Sequence, residues 1–222
     1  MFTNFLVFPA RGGYNEREAP QGAAKKGKRS MVCANEVVAA KLRRWEKYLT
    51  AFTLPAWEEL PAFDLYIDQV VSLAAQYLNF LPADEHGNPA ITASAVNNYV
   101  RLKLMPPPRK KRYSRLHLAY LMLICILKQS MSMTYVKRML PPDLSLEVMH
   151  ALYDQCAREH KATCLYFAQL VRQNAQDVMN GAPGETAAVE RLIFCSAIIA
   201  GFSQLLTEKI LRLEDAPPST EE

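Results

Sequence analysis

Residues Ile91–Pro108 read I-T-A-S-A-V-N-N-Y-V-R-L-K-L-M-P-P-P, and the fold of the chain turns on this stretch. Thr92 stands where an N-cap belongs, opening a short helix to about Lys103. Pro106, Pro107 and Pro108 stop it, because proline has no N–H with which to continue the ladder. At 3.6 residues per turn, Ser94, Asn97, Asn98 and Arg101 share one face, and Ala95, Val96, Tyr99, Val100 and Leu102 lie on the other. The polar face therefore holds one hydroxyl, two carboxamides and one guanidinium, with no carboxylate. These groups pair with base edges: Asn bidentate to adenine, Arg to guanine or to phosphate. An ordinary surface helix could carry the same face, so the neighbouring residues decide.

Those neighbours are cationic. The run Arg109-Lys110-Lys111-Arg112-Tyr113 follows at once, with Arg115 just beyond, and these six are candidates for phosphate contact. Of the 26 basic residues in the chain, ten fall between Ile91 and Leu140, and none of the 22 acidic ones does. The remainder thus has 16 basic against 22 acidic residues. A concentrated positive segment inside an otherwise acidic protein attracts polyanions, nucleic acid above all. Chance placement of acids elsewhere is the plainer alternative.

Outward from this block the pattern is helical. Asn35–Ala51 carries Val37, Val38, Leu42, Trp45 and Leu49 on one side. Asp64 is expected to cap a helix through Phe80 with an inner stripe of Ile67, Val70, Val71, Ala74 and Leu78. Ser114 and Ser132 are expected to cap helices to about Gln129 and Leu140. Beyond Pro141 and Pro142 come two longer patterns, Leu146–Met179 and Glu185–Leu213, split by N-G-A-P-G and expected to form an antiparallel hairpin. No strand is expected apart from a small hairpin at Arg109–Tyr113. The class is all-α: a flexible tail at 1–33, a helical DNA-binding region at 34–142, a helical dimerisation or effector region at 143–214, and a disordered tail at 215–222.

Two resemblances attach to these residues. The block from Ile91 to Pro107, then Y-S-R-L-H-L-A-Y-L and M-S-M-T-Y-V-K-R-M-L, resembles the recognition helix, post-wing helix and fourth helix of MerR-type winged helix-turn-helix regulators. That likeness spans roughly Ile91 to Leu140 and implies duplex DNA binding, with Arg109 and Tyr113 on phosphates. Three departures stand out. Asn97 sits where such helices usually carry arginine, Lys103 where glycine usually ends the helix, and the wing is short. A lysine in the left-handed conformation costs roughly 1–2 kcal/mol, so a different helix exit is expected. The longer pattern L-P-A-W-E-E-L-P-A-F-D-L-Y-I-D-Q-V, followed by N-N-Y-V, P-P-P-R-K-K-R-Y and H-L-A-Y-L, is similar to a bacterial family known only as a domain of unknown function.

The C-terminal half offers fewer chemical clues. An apolar seam is expected through Met149, Leu152, Cys156, Thr163, Phe167, Leu170 and Val178. From Leu192 to Leu206 the next helix is apolar nearly all round, which calls for burial in the fold or in a partner subunit, so a homodimer is expected. Cys156, His160 and Cys164 recur at four-residue steps, as soft metal ligands could, though core cysteines beside a satisfied histidine fit as well. No Gly-rich phosphate loop, H-E-x-x-H, G-x-S-x-G or paired-carboxylate motif is present, so no enzyme and no cofactor are expected. His117 and the Asp64/Asp68 pair read as structural.

The five cysteines are scattered, with no C-x-x-C pair, which points to a reducing compartment. Met1–Pro9 does not read as a secretory signal, and no run of about 20 uninterrupted apolar residues suggests a membrane span. The expectation is a cytoplasmic, dimeric regulator of transcription that binds double-stranded DNA without a membrane partner, with a small-molecule effector left open. Its rivals are an adaptor whose basic surface meets an acidic protein, and a metal or small-ligand sensor built on the C-terminal helices.

Overall fold

The computed structural model describes residues 35–83, 87, 89–180 and 185–213. The expected tails at 1–33 and 215–222 lie outside them. Eight α-helices are seen among the described residues: α1 (Asn35–Ala51), α2 (Ile67–Tyr77), α3 (Ala93–Arg101), α4 (Arg115–Leu127), α5 (Met133–Met139), α6 (Leu146–Asn174), α7 (Gln176–Met179) and α8 (Glu185–Leu213). A single 3₁₀ turn covers Trp57–Glu59. The described residues contain no strand, only isolated bridges, so the chain is all-α as expected.

The sequence of α4, R-L-H-L-A-Y-L-M-L-I-C-I-L, has no polar face, and a helix of that kind must be enclosed. Every residue from His117 to Cys125 is buried. Around α4 gather Val70, Ala74 and Leu78 of the α2 segment, Val96 and Tyr99 of α3, Val136 of α5, and Met149 and Tyr153 of α6. Buried hydroxyls in this core are satisfied. Tyr153 donates to the Pro55 carbonyl at 2.9 Å, and Tyr120 donates to the Pro141 carbonyl while accepting from the Leu144 N–H.

The second half of α6 packs mainly on α1, while α8 meets the end of this segment at Asn174 and at Val178 of α7. Leu49 of α1 meets Cys164 and Ala168, flanked by Trp45 and Phe167. Lys161 donates to the carbonyls of Thr50 and Phe52, capping the end of α1, and Arg172 pairs with Glu46. The expected hairpin of 146–179 with 185–213 is met only near its turn, at Val178 with Val189 and Asn174 with Cys195. α1 carries an amphipathic stripe that fits α6, whereas α8 buries only Val189 and Leu211 among its described side chains. The seam on α6 is also displaced by one residue. Thr163 is exposed and Cys164 buried, because the inward line runs Met149, Tyr153, Cys164, Ala168, Val171. Helical geometry breaks at Ala175, so the expected single pattern to Met179 divides into α6 and α7.

Other corrections are local. Asp64 does not cap α2. Leu65 is tied to Tyr113 by two backbone bonds of 2.8 Å, which delays the helix, and the side-chain oxygen of Gln69 takes the Tyr66 N–H at 2.9 Å. Ser132 accepts from Tyr135 N as expected, and at Ser114 the capping contact comes from His117 instead. Ala187–Leu213 is long and apolar enough, by length and composition, to cross a membrane, where the sequence suggested no such stretch. The polar interruptions at Ser196, Ser203 and Gln204 do not lower the average enough to exclude it.

Candidate nucleic-acid interface

α3 begins where Thr92 accepts from the Ala95 N–H at 3.1 Å. Its inner residues Val96 and Tyr99 are buried, which fixes the rotation of the helix and turns the opposite face outward. Ser94, Asn97, Asn98 and Arg101 line one shallow open depression together with Thr92 and Ala95. Ser94, Asn97 and Arg101 are exposed and Asn98 is half-buried. Arg101 donates to Asn98 Oδ1 at 2.7 Å. Arginine can only donate, so this bond puts the amide oxygen toward Arg101 and the amide nitrogen on the other side.

The helix exit departs from expectation. Lys103 adopts φ 55°, the left-handed conformation that glycine usually supplies. Its N–H bonds to the Val100 carbonyl at 3.0 Å, and the Leu104 N–H bonds to the Tyr99 carbonyl at 2.9 Å. This is a Schellman motif, sealed by apolar packing of Leu104 and Tyr99 in the same core. The lysine accepts the strain, and no alternative exit is built.

A two-residue hairpin follows. Arg109 and Arg112 pair through backbone bonds of 2.8 and 3.1 Å, as the sequence suggested, with Lys110 (φ 49°) and Lys111 (φ 61°) at the tip. Two consecutive positive φ angles define the type I′ turn, a position that favours Asn-Gly. Lys103, Lys110 and Lys111 are the positive-φ residues other than glycine among the described ones.

The remaining cations divide. Arg112 stacks on the exposed Tyr66 ring, 3.9 Å from its centre, and donates to its hydroxyl at 2.7 Å. Arg115 is half-buried, 5.8 Å from the Trp57 ring centre, with its Nε unpartnered. Lys128 points inward to the Tyr99 hydroxyl at 3.1 Å. Tyr113 is corrected: it is 4% exposed, bridged to Leu65 and set edge-on to His117, and so is a core residue and not a phosphate contact. Burial pushes its hydroxyl pKa up. Among the described residues, no carboxylate pairs with Arg101, Lys103, Arg109, Lys110, Lys111 or Arg112.

His117 fastens the base of this surface. Its Nδ1 accepts the Ser114 N–H at 3.0 Å, so the proton sits on Nε2, which donates to the Pro107 carbonyl at 3.2 Å. Burial lowers its pKa below the ordinary value. Tyr66 is the site residue that sequence reading missed. It stands two residues past Asp64 in D-L-Y-I-D, and only the Leu65–Tyr113 pairing brings it to the hairpin.

The metal candidates do not assemble. Cys164 Sγ and His160 Nδ1 are 3.5 Å apart, but Cys156 packs into the main core and the His160 ring packs against those of Phe52 and Phe80. His150 stacks on Trp57 and Cys195 faces Asn174. No group of three or more metal-binding side chains occurs among the described residues.

An all-α protein with an acid-free basic hairpin beside a short amide-bearing helix is the class that these observations define. Residues 55–156 match a family model described as a domain of unknown function (DUF1836), which covers both of those elements and the first turns of α6. No curated protein and no solved structure matches the chain.

Proposed function

We propose that this protein binds duplex DNA in a sequence-specific way and regulates transcription. In this reading α2 and α3 form a helix-turn-helix, the hairpin at Arg109–Arg112 is a reduced wing of MerR type, and α4 and α5 follow it. Ser94, Asn97, Asn98 and Arg101 meet base edges in the major groove. Arg109, Lys110, Lys111 and Arg112 lie along phosphates, and Arg115 serves from its half-buried place at the start of α4.

The observation that carries the reading is the conformation of the hairpin tip. Two lysines occupy left-handed positions that Asn-Gly would fill at lower cost, and no carboxylate among the described residues compensates them. Backbone strain of this sort collects at binding sites, where side-chain identity matters more than local comfort. A cation at an exposed, strained tip is suited to an anion brought from outside.

The test is selection of bound sites from a random duplex library, followed by titration of the recovered sequence at several salt concentrations. Enrichment of one motif, with log affinity falling steeply against log salt, supports the reading. Recovery of no motif, or an affinity indifferent to salt, overturns it.

A further inference from the structure

Among the described residues, the outer face of α8 has no counterpart. Eight large apolar side chains between Ile193 and Leu213 are each more than half exposed, with Phe194 at 67% and Phe202 at 69%. Helical geometry sets Phe194, Ile198, Phe202 and Leu205 in one line, on the side away from buried Val189 and Leu211. Beside that line, near its middle, is Gly201, a residue that weakens a helix interior. Among the described residues, nothing lies within 4 Å of where its Cβ would stand. No turn and no packing among the described residues calls for glycine there. A glycine at such a point leaves room for another helix to approach closely.

We propose that a second copy of this chain docks on this face, α8 against α8, antiparallel about a twofold axis near Gly201. The six exposed apolar side chains on this side, Phe194, Ile198, Phe202, Leu205, Leu206 and Leu213, offer roughly 650 Å² together, taking about 150–250 Å² for a whole aromatic and somewhat less for an aliphatic, which is at the lower end of what one partner gives to a standard interface. Antiparallel pairing about Gly201 sets Glu190 opposite Arg212 of the other copy, where parallel pairing sets like charges side by side. The other candidate occupant, a bilayer, fits less well. Ala187–Leu213 passes by overall length and composition, but its uncharged run, Leu192 to Thr207, spans 16 residues. At 1.5 Å per residue that is about 24 Å, short of the roughly 30 Å hydrocarbon core. Both ends of α8 are also held to the folded body. Val189 packs with Ala39 and Val178, and Arg138 donates to the Leu211 carbonyl at 2.8 Å. Docking through α8 is independent of the duplex reading.

Sedimentation equilibrium of the full chain tests it, run beside flotation with phosphatidylglycerol–phosphatidylcholine vesicles. The chain is expected to be dimeric at micromolar concentration. Phe202→Glu should raise the dimer dissociation constant at least about a hundredfold, and Gly201→Trp should do the same, with helix content by circular dichroism unchanged. Gln173→Glu, an exposed position on α6, should leave the dimer intact. A chain that stays monomeric at about 100 µM, a dimer indifferent to both α8 substitutions, or flotation with vesicles in place of self-association would overturn the proposal.

Discussion

The guanidinium carbon of Arg112 lies over the ring of Tyr66, 3.9 Å from its centre, and the same guanidinium donates to the ring's hydroxyl. One residue of the hairpin is thereby clasped to the N-cap of α2, 46 positions earlier in the chain. Together with the Leu65–Tyr113 bridge, this fixes how the hairpin stands relative to the helices.

Loosening the clasp should separate stability from binding. Tyr66→Phe keeps the stack and loses the hydrogen bond. Tyr66→Ala loses both, at a cost of about 0.5–1 kcal/mol for the exposed cation–π interaction. Denaturant titration should show these small losses. Duplex titration should show a larger drop for Tyr66→Ala than its stability change accounts for. Equal drops in the two measurements would mean that Tyr66 only supports the fold.

Glycine at the strained positions should stabilise the chain. Lys103→Gly relieves left-handed strain and should raise unfolding stability by about 1 kcal/mol. The double change Lys110→Asn with Lys111→Gly should stabilise the hairpin as well, yet weaken duplex binding. Its salt slope should drop by nearly one unit for each phosphate no longer neutralised. Greater stability with unchanged affinity would remove the hairpin from the interface.

Base readout and phosphate binding should part under substitution. Asn98→Ala removes an amide and frees Arg101 from its 2.7 Å bond. It should cost about 1–3 kcal/mol against the preferred site and little against random duplex. Lys110→Glu with Lys111→Glu should weaken every sequence alike. Competition titrations with specific and scrambled duplexes distinguish the two patterns.

Acid should loosen the latch under the hairpin. Burial lowers the pKa of His117 and of His160 from the ordinary 6.5. The unfolded chain then takes up protons more readily than the folded one. Stability should therefore be level above pH 6.5 and fall as pH drops from 6.5 through the lower folded-state values. Protonated His117 also loses its acceptor for the Ser114 N–H. In His117→Gln the acid-side slope of unfolding free energy should shrink; an unchanged slope would place the titration elsewhere.

Local signals in the sequence were legible where a residue acts on its own helix. The Thr92 and Ser132 caps, the Val70–Ala74–Leu78 stripe and the outward amide face of α3 follow from spacing alone. What the sequence hid depends on distant partners. Asp64 has the chemistry of a cap, but the bridge from Leu65 to Tyr113 moves the helix start to Tyr66. Tyr113 has the chemistry of a phosphate ligand, but the same bridge buries it. The pairing of α6 with α1 could not be ranked above pairing with α8 by periodicity, since both partners are apolar where they would touch. The duplex reading itself was legible as residue types on a face, and its strongest support, the left-handed lysines, was not.

The course of α6 joins two clusters that would otherwise be separate. Its first turns belong to the core around α4, through Met149 and Tyr153, and its last turns to the cluster with α1, through Cys164 and Ala168. Twenty-nine residues without a break make a rod of about 43 Å. There is no linker between the two halves at which motion could be absorbed. A displacement of one cluster relative to the other must therefore bend or tilt the helix itself.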